Sequence, residues 1–325
     1  MSHADRAESF EQVEAEWEKV LPSCSTNTIF VTPWWQRVWW RHLGIESELR
    51  LLSLHENGST LGIAPLMLRE GVFSFLGDSD LFDYHDFLVP QGSEASFYRA
   101  LFNYLSTAEW HTLDLMSLPE ESPTLRCIPA LAEKMGYSVE VREEGMAPFA
   151  SLPPTWEEYL ANLSKKDRHE LRRKLRRLES AGVSSQYMCE SPQTHPDCMQ
   201  DFLRLHKASN PEKAAFMTPQ REGFFIDVAT ELGARNQLKL AFLELDGLRV
   251  AACINFDYLD TYLLYNSGYD PSYSKLSVGL VNTALAIKDA IEAGKRTFDF
   301  LRGTERYKYD LGAKDHAVYQ MVVRR

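Results

Sequence analysis

The chain has 325 residues and a formal net charge of −11 at pH 7, enough length for two domains at roughly 150 residues each. Its 44% hydrophobic and 25% charged content excludes wholesale disorder, and the acid excess excludes a broadly basic nucleic-acid coat while leaving room for a local basic patch. No run of 18 apolar residues occurs, so no membrane-spanning helix is predicted. A polar, acidic N-terminal stretch and five irregularly spaced cysteines (24, 127, 189, 198 and 253) lead to the expectation of a cytoplasmic protein.

In chain order, Thr32-Pro33-Trp34-Trp35 predicts a helix start, with Thr32 as cap, Pro33 at the first helical position and Trp35 stacked over Trp39. Residues 49–68 then read as two strands around Asn57-Gly58, a dipeptide that favours the two positive φ values of a tight hairpin. A strand-like run at Val72–Leu76 follows. The next loop holds Asp83-Tyr84-His85-Asp86, a set suited to reading a polar acceptor; Asp-x-x-Asp is too generic to name a metal site, and none is predicted. A helix over 94–107, a strand at Leu113-Asp114-Leu115-Met116 and further strand character at Ser138–Val141 complete this half.

The stretch Ala147–Thr155 carries three prolines and marks a boundary, with Thr155 capping a helix over Trp156–Leu163. Residues 164–177 hold eight basic residues, including Lys165, Arg168 and Arg172, against Asp167 and Glu170, a local net charge of +6. Leu171, Leu175 and Leu178 form one apolar stripe, so the helix is expected to pack on its leucines and present a dense positive face. Like charges at i, i+4 repel, and that cost points to a polyanionic contact such as a nucleotide phosphate, a sugar diphosphate, a tRNA backbone or an anionic lipid. Cys189, His195, Cys198 and His206 lack zinc-finger spacing.

The first-half order then returns. Residues 238–256 align with 49–68 at an offset of 189, with Asp246-Gly247 in place of Asn57-Gly58. A strand at Tyr262–Asn266, a loop, a helix over 278–293 and Phe298-Asp299-Phe300-Leu301 follow, the last aligned to Leu113–Met116 at an offset of 185. Strand character at Tyr319–Val323 mirrors Ser138–Val141. The loop Ser274-Lys275-Leu276-Ser277-Val278-Gly279-Leu280 opens the helix, and its hydroxyls, lysine and free N–H groups suit an anion. Asp299 has a counterpart in Asp114, which favours a structural role in both copies over a catalytic one. Arg302, Gly303, Glu305, Tyr307 and Lys308 have almost no counterpart, so chemistry confined to one copy belongs to the second.

Four strings carry a family resemblance: Asn27-x-x-Phe30-x-Thr32-Pro33-x-Trp35, Ser164-Lys165-Lys166-x-Arg168-x-x-Leu171-Arg172-Arg173, Ser267-Gly268-Tyr269-Asp270, and Phe298-Asp299-Phe300-Leu301-Arg302-Gly303-x-Glu305-x-Tyr307-Lys308. Together they resemble the BioF2-like or CelD-like acetyltransferases, relatives of the FemABX aminoacyltransferases, with a tandem GNAT (GCN5-related N-acyltransferase) fold. The resemblance implies an α/β (α+β) chain of two GNAT-like halves, each a mixed, mostly antiparallel sheet flanked by helices. The halves are expected at 1–150, structural or acceptor-binding, and 151–325, catalytic. The family's Q/R-x-x-G-x-G/A loop is reduced here to a single glycine, Gly279.

The activity implied is N-acyl transfer from acetyl-CoA or another acyl-CoA to a small-molecule amine, on an amino sugar or a cell-envelope or polysaccharide precursor, nucleotide- or lipid-linked. Two alternatives stand beside it: a FemABX-like transferase using aminoacyl-tRNA, and a non-catalytic tandem scaffold in polysaccharide assembly. The expected donor site is Ser274, Lys275, Ser277, Val278 and Gly279. Catalysis is expected from Lys308, with Glu305, Tyr307 and Asp299. Substrate contacts are expected from Arg302, Asp83, Tyr84, Asp86, Lys165, Arg168 and Arg172. Lys308 is expected to stabilise an oxyanion beside the thioester or ester carbonyl, so that Lys308→Met would lower kcat about 100-fold or more and leave the melting temperature nearly unchanged.

Overall fold

Both two-residue turns form hairpins in the computed structural model, which describes residues 2–7, 9–189 and 196–325; His195 lies outside the described residues. Asn57 and Gly58 take φ of 52° and 80°, and Asp246 and Gly247 take 51° and 78°, the paired positive values of a type I′ turn. The chain forms two units, Met1–Gly145 with His316–Arg325, and Met146–Asp315.

The first unit begins with β1 (Ser2–Ala7), α1 (Phe10–Val20), α2 (Pro33–Leu43) and the hairpin β2 (Glu48–Glu56) and β3 (Ser59–Arg69). It continues through β4 (Val72–Phe75), α3 (Glu94–Thr107), β5 (Thr112–Pro119), α4 (Pro123–Lys134) and β6 (Ser138–Met146). The second begins with β7 (Phe149–Ser151), α5 (Trp156–Asn162), α6 (Lys165–Glu179), β8 (Ser184–Cys189), α7 (Pro196–Ser209), α8 (Pro211–Phe216) and α9 (Pro219–Ala234). The hairpin β9 (Leu238–Leu245) and β10 (Leu248–Tyr258), β11 (Thr261–Tyr269), α10 (Val278–Glu292), β12 (Thr297–Asp299) and α11 (Arg306–Asp310) follow, and β13 spans Ala317–Arg324. Among the described residues no helix is long and apolar enough to cross a membrane.

The strand orders are β1-β2-β3-β4-β5-β13-β6 and β8-β9-β10-β11-β12-β7, so the two sheets repeat one plan. Register repeats with it. Each hairpin skips one residue, Leu61 in β3 and Val250 in β10, at equivalent positions. Each sheet has one parallel junction of three residues, Val72–Ser74 on Thr112–Asp114 and Thr261–Leu263 on Thr297–Asp299. This mixed architecture with flanking helices is that of tandem GNAT-like halves.

The last strand departs from the sequence reading. Tyr319–Val323 was expected to complete the second half, whereas β13 pairs antiparallel with β5 in the first sheet. Met321 and Val323 enter the first unit's core, and Gln320 donates to Asp114 at 2.6 Å and accepts from Arg142 at 2.6 Å. In the second sheet the corresponding edge of β12 is taken by β7 instead. A strand apolar on both faces needs a central place in a sheet, but its own pattern does not say which sheet. The second unit therefore ends at Asp315.

In the first unit, Leu52, Leu54, Ala64 and Leu66 pack with α3 and α4 residues, while Leu51 and Ile63, on the other face, pack with Phe10, Val13 and Trp17 of α1. In the second, Ala241, Cys253, Tyr262 and Leu264 meet Ala284, Ile287 and Ile291 of α10. α7 crosses the opposite face of β11 at Gly268. A Cβ there would sit 2.3 Å from the backbone nitrogen of His206 and 2.4 Å from its Cα, so only glycine admits the helix at this distance.

Candidate active site in the second unit

The parallel ladder between β11 and β12 stops at Leu263 and Asp299, whereas β11 continues to Tyr269. Beyond β12 the chain makes a tight turn in which Leu301 and Gly303 both have positive φ, 56° and 112°. Asp299 holds the turn from inside, its Oδ1 accepting from the Leu301 N–H at 2.8 Å. Gly303 suits the turn because its φ of 112° is one that side-chain-bearing residues rarely adopt.

Lys308 is not a surface charge. It is buried, and its Nζ donates to the carbonyl oxygens of Leu301, Arg302 and Gly303 at 3.0, 2.8 and 3.0 Å, with Glu305 Oε2 at 3.1 Å. An ammonium has three N–H donors, and three carbonyls engage them here. This placement counts against the expected oxyanion role, because the donors are already engaged; the ammonium clamps the turn. Glu305 itself is well exposed. Burial first, then the Glu305 charge, pushes the Tyr307 phenol above its ordinary pKa, so it stays a proton donor. Arg302 lies half-buried in the turn.

Facing this turn is a set that sequence reasoning missed. Asn210 caps α8, its Oδ1 accepting from the Lys213 N–H at 2.7 Å, and this fixes the start of the Lys213 side chain. The Lys213 ammonium donates to the Ser267 carbonyl of β11. Burial pulls its pKa down to about 8, with Glu305 opposing the shift. His206 of α7 is buried, hydrogen-bonded to Asn266, and held neutral: burial first, then the Lys213 charge, lowers it to about 4. Its Nδ1 has no hydrogen-bond partner. Ser209 Oγ accepts from the Tyr269 N–H at 2.9 Å and donates to the Leu205 carbonyl at 2.8 Å. The one sequence signal for this corner was Ser267-Gly268, whose glycine lets α7 approach.

Two features read separately in the sequence meet in the structure. α6 buries Leu171 and Leu178, with Leu175 beside them, as the stripe required. Flanking the same stripe, Lys174 Nζ reaches Ser277 Oγ at 3.4 Å, and Arg177 donates to the Lys275 carbonyl at 2.9 Å. Ser277 stands just ahead of α10 in the left-handed region, and its side chain caps nothing there. Uncapped N–H groups and the helix dipole make this end attractive to anions. Gly279 lies against Tyr269, with a Cβ placed 3.3 Å from the ring. On α6, Glu170 binds Arg173 at 2.6 and 2.7 Å and Lys174 at 2.8 Å, and the hydrogen bonds from Arg173, then Lys174, lower its pKa to about 2. Arg168 donates to the Ala161 carbonyl at 3.1 Å. Lys165 and Arg172 are exposed on the helix, and Ser274 and Lys275 are exposed ahead of α10.

The first unit fills the equivalent place with its own chain. Phe82, Tyr84, His85 and Asp86 are buried, and the His85 N–H bonds the Ser117 carbonyl at 2.8 Å beyond the ladder end. Asp86 accepts from Thr26 at 2.7 Å, from the Phe87 N–H at 2.9 Å and from Thr124, and burial raises its pKa. Tyr84 and Asp86 therefore hold the loop together and are shielded from solvent, against the expectation that they read a substrate. Asp83 is half-buried in the same loop. Glu120, Glu121 and His316 place ligand atoms close together at the surface, with His316 Nε2 at 2.9 Å from Glu121; that ion pair accounts for the group.

Residues 165–309 match the family model described as an acetyltransferase (GNAT) domain. No match to a curated protein sequence was found. Similar solved structures include FemX, at 10% identity and TM-score 0.67, covering 94% of this chain and 95% of that one. The C-terminal domain of a putative lysylphosphatidylglycerol synthetase from Agrobacterium fabrum is similar at 10% identity and TM-score 0.59, covering 97% and 92%. A tandem GNAT protein from the clavulanic acid biosynthesis pathway is similar at 11% identity and TM-score 0.54, covering 99% and 98%. At these identities the likeness is one of fold.

Proposed function

We propose that this chain, an acyltransferase of GNAT-type fold, moves an acyl group from acyl-CoA to the amine of a small acceptor, with the reaction carried by the second unit. The observation that carries the reading is the meeting of α6 with the start of α10, where Lys174 and Arg177 stand beside uncapped N–H groups. A diphosphate placed there would gain the helix dipole and neutralise part of the charge on α6. Its acyl end would then run along β11 toward the turn after β12. Glu305, exposed, would take the amine proton, and Tyr307, kept protonated by burial, would supply one to the leaving thiolate. Lys308 and Asp299 would hold the turn that positions them. Plugging of the equivalent place in the first unit supports chemistry in one copy. The acceptor we favour is an amino sugar or cell-envelope precursor, nucleotide- or lipid-linked.

A second reading, with aminoacyl-tRNA as donor, is favoured by one observation. α6 exposes more charge than a diphosphate needs, with Arg172, Arg173 and Arg176 all open to solvent. Calorimetric titration with CoA and filter binding of tRNA across a salt series separate the two. CoA should bind with its affinity abolished by Gly279→Asp. Loss of CoA binding to the unaltered chain, with tightly salt-dependent tRNA binding, would replace the first reading with the second.

A further inference from the structure

We propose that Lys213 is a further catalytic residue, whose ammonium, seated on the Ser267 carbonyl at the edge of β11, donates to the acyl carbonyl oxygen as it becomes the oxyanion. The inference rests on the acyl-transfer reading above and adds to it a group outside the turn after β12. Its first support is the state of the ammonium. Among the described residues it makes one hydrogen bond, to Ser267, and no ion pair within 4 Å. A half-buried cation so placed costs free energy unless an anion completes it. Among the described residues no carboxylate pairs with it within 4 Å, while a transition-state oxyanion would complete it, and only at the moment it forms.

Position is the second support. Ser267 lies on the part of β11 that has outrun its ladder with β12, between the start of α10 and the Asp299–Lys308 turn. A thioester drawn from the helix end toward that turn passes this edge. Lys308, the other lysine nearby, has its donors engaged by three carbonyls, which leaves Lys213 with N–H groups to give.

In the step, the amine nitrogen bonds the acyl carbon and the carbonyl π pair moves to oxygen, where Lys213 donates. The oxyanion then collapses, the carbon–sulfur bond breaks, and the thiolate leaves with the pair. One proton passes from the amine nitrogen to Glu305 and one reaches the thiolate from Tyr307. The amide and free thiol are the products.

The groups facing Lys213 fix its pH behaviour. Glu305, from the turn, raises its pKa and so favours the charged donor; His206, from α7, is neutral above about pH 4; β11 presents the Ser267 carbonyl and the Asn266 amide. Burial leaves Lys213 titrating near 8. Activity that needs the protonated form falls as pH rises through that value.

The test uses the full chain with acetyl-CoA and hydroxylamine, an amine that is unprotonated at neutral pH, and follows release of free CoA. Lys213→Met should lower kcat about 100-fold with the KM for acetyl-CoA changed less than twofold. The alkaline limb near 8 should move upward in Lys213→Arg, whose guanidinium stays charged. Urea midpoints establish that each variant folds, and a misfolded Met variant leaves the decision to the Arg variant's pH limb. Turnover by Lys213→Met at the unaltered rate, or an Arg variant with an unmoved limb, overturns the proposal while leaving acyl transfer intact. Absence of CoA release by the unaltered chain overturns the acyl-CoA reading itself, and this assignment with it.

Discussion

Replacing Lys308 with Met keeps most of the stem and removes the ammonium. Three carbonyl oxygens, those of Leu301, Arg302 and Gly303, then lose their donor, and Glu305 loses its ion pair. Each charge-assisted hydrogen bond is worth roughly 1.5–3 kcal/mol, but the three share one donor and the turn can partly rehydrate, so they do not add. At about 1–3 kcal/mol for each carbonyl left without a donor, discounted for that rehydration, the loss is about 3–5 kcal/mol in all. The positive φ of Leu301 at 56° adds to the need, since that backbone is unfavourable without a restraint. At about 2–4 °C per kcal/mol for a unit of this size, the melting temperature should fall by roughly 6–20 °C. Differential scanning calorimetry reads the shift, and Lys308→Arg tests whether the geometry of the ammonium matters. A Met variant that melts within 1 °C of the unaltered chain would refute the clamp.

Other outcomes follow from close contacts and buried charge. Gly268→Ala should destabilise the second unit by about 3 kcal/mol or more, because its Cβ would meet the α7 backbone at 2.3 Å; a variant of unaltered urea midpoint would contradict that packing. His206 titrates near 4 in the fold against about 6.5 unfolded. Its contribution of roughly 3 kcal/mol is present above pH 6.5 and lost as pH falls from there to about 4. Urea titrations at a series of pH values should show that slope, flattened in His206→Gln. Gly279→Asp should abolish CoA binding while the melting temperature holds or rises, since a carboxylate at a helix start suits the dipole; a variant that unfolds would mean contact with Tyr269 dominates.

What was legible in the sequence was local. Thr32 caps α2 by accepting from the Trp35 N–H at 3.4 Å, and Thr155 caps α5 by accepting from the Glu158 N–H at 3.2 Å. Both hairpin turns, the leucine stripe of α6 and the repeat itself depend on residues close together in the chain. What was not legible depends on distance. β13 carries no mark of the sheet it joins. Asp86 looked like a surface carboxylate because its partners, Thr26 and Thr124, lie 60 and 38 residues away. Lys308 looked exposed because its helix is five residues long and charged, and only the curl of the Leu301–Gly303 backbone around its ammonium buries it. Lys213 drew no notice because its significance comes from Ser267 and Glu305, on other elements. The edge strands β1 and β8, short and mixed in polarity, were missed for lack of any alternation strong enough to register.

The central claim is that a phosphate-bearing acyl donor sits at the start of α10 and gives up its acyl group to an amine. Acyl transfer from acetyl-CoA to a panel of amino sugars and small amines, read by mass spectrometry of the product, tests it most directly when the unaltered chain and Gly279→Asp are run side by side. The unaltered chain should yield an acetylated amine and Gly279→Asp none, with both folded. Product from Gly279→Asp at the unaltered rate would contradict it.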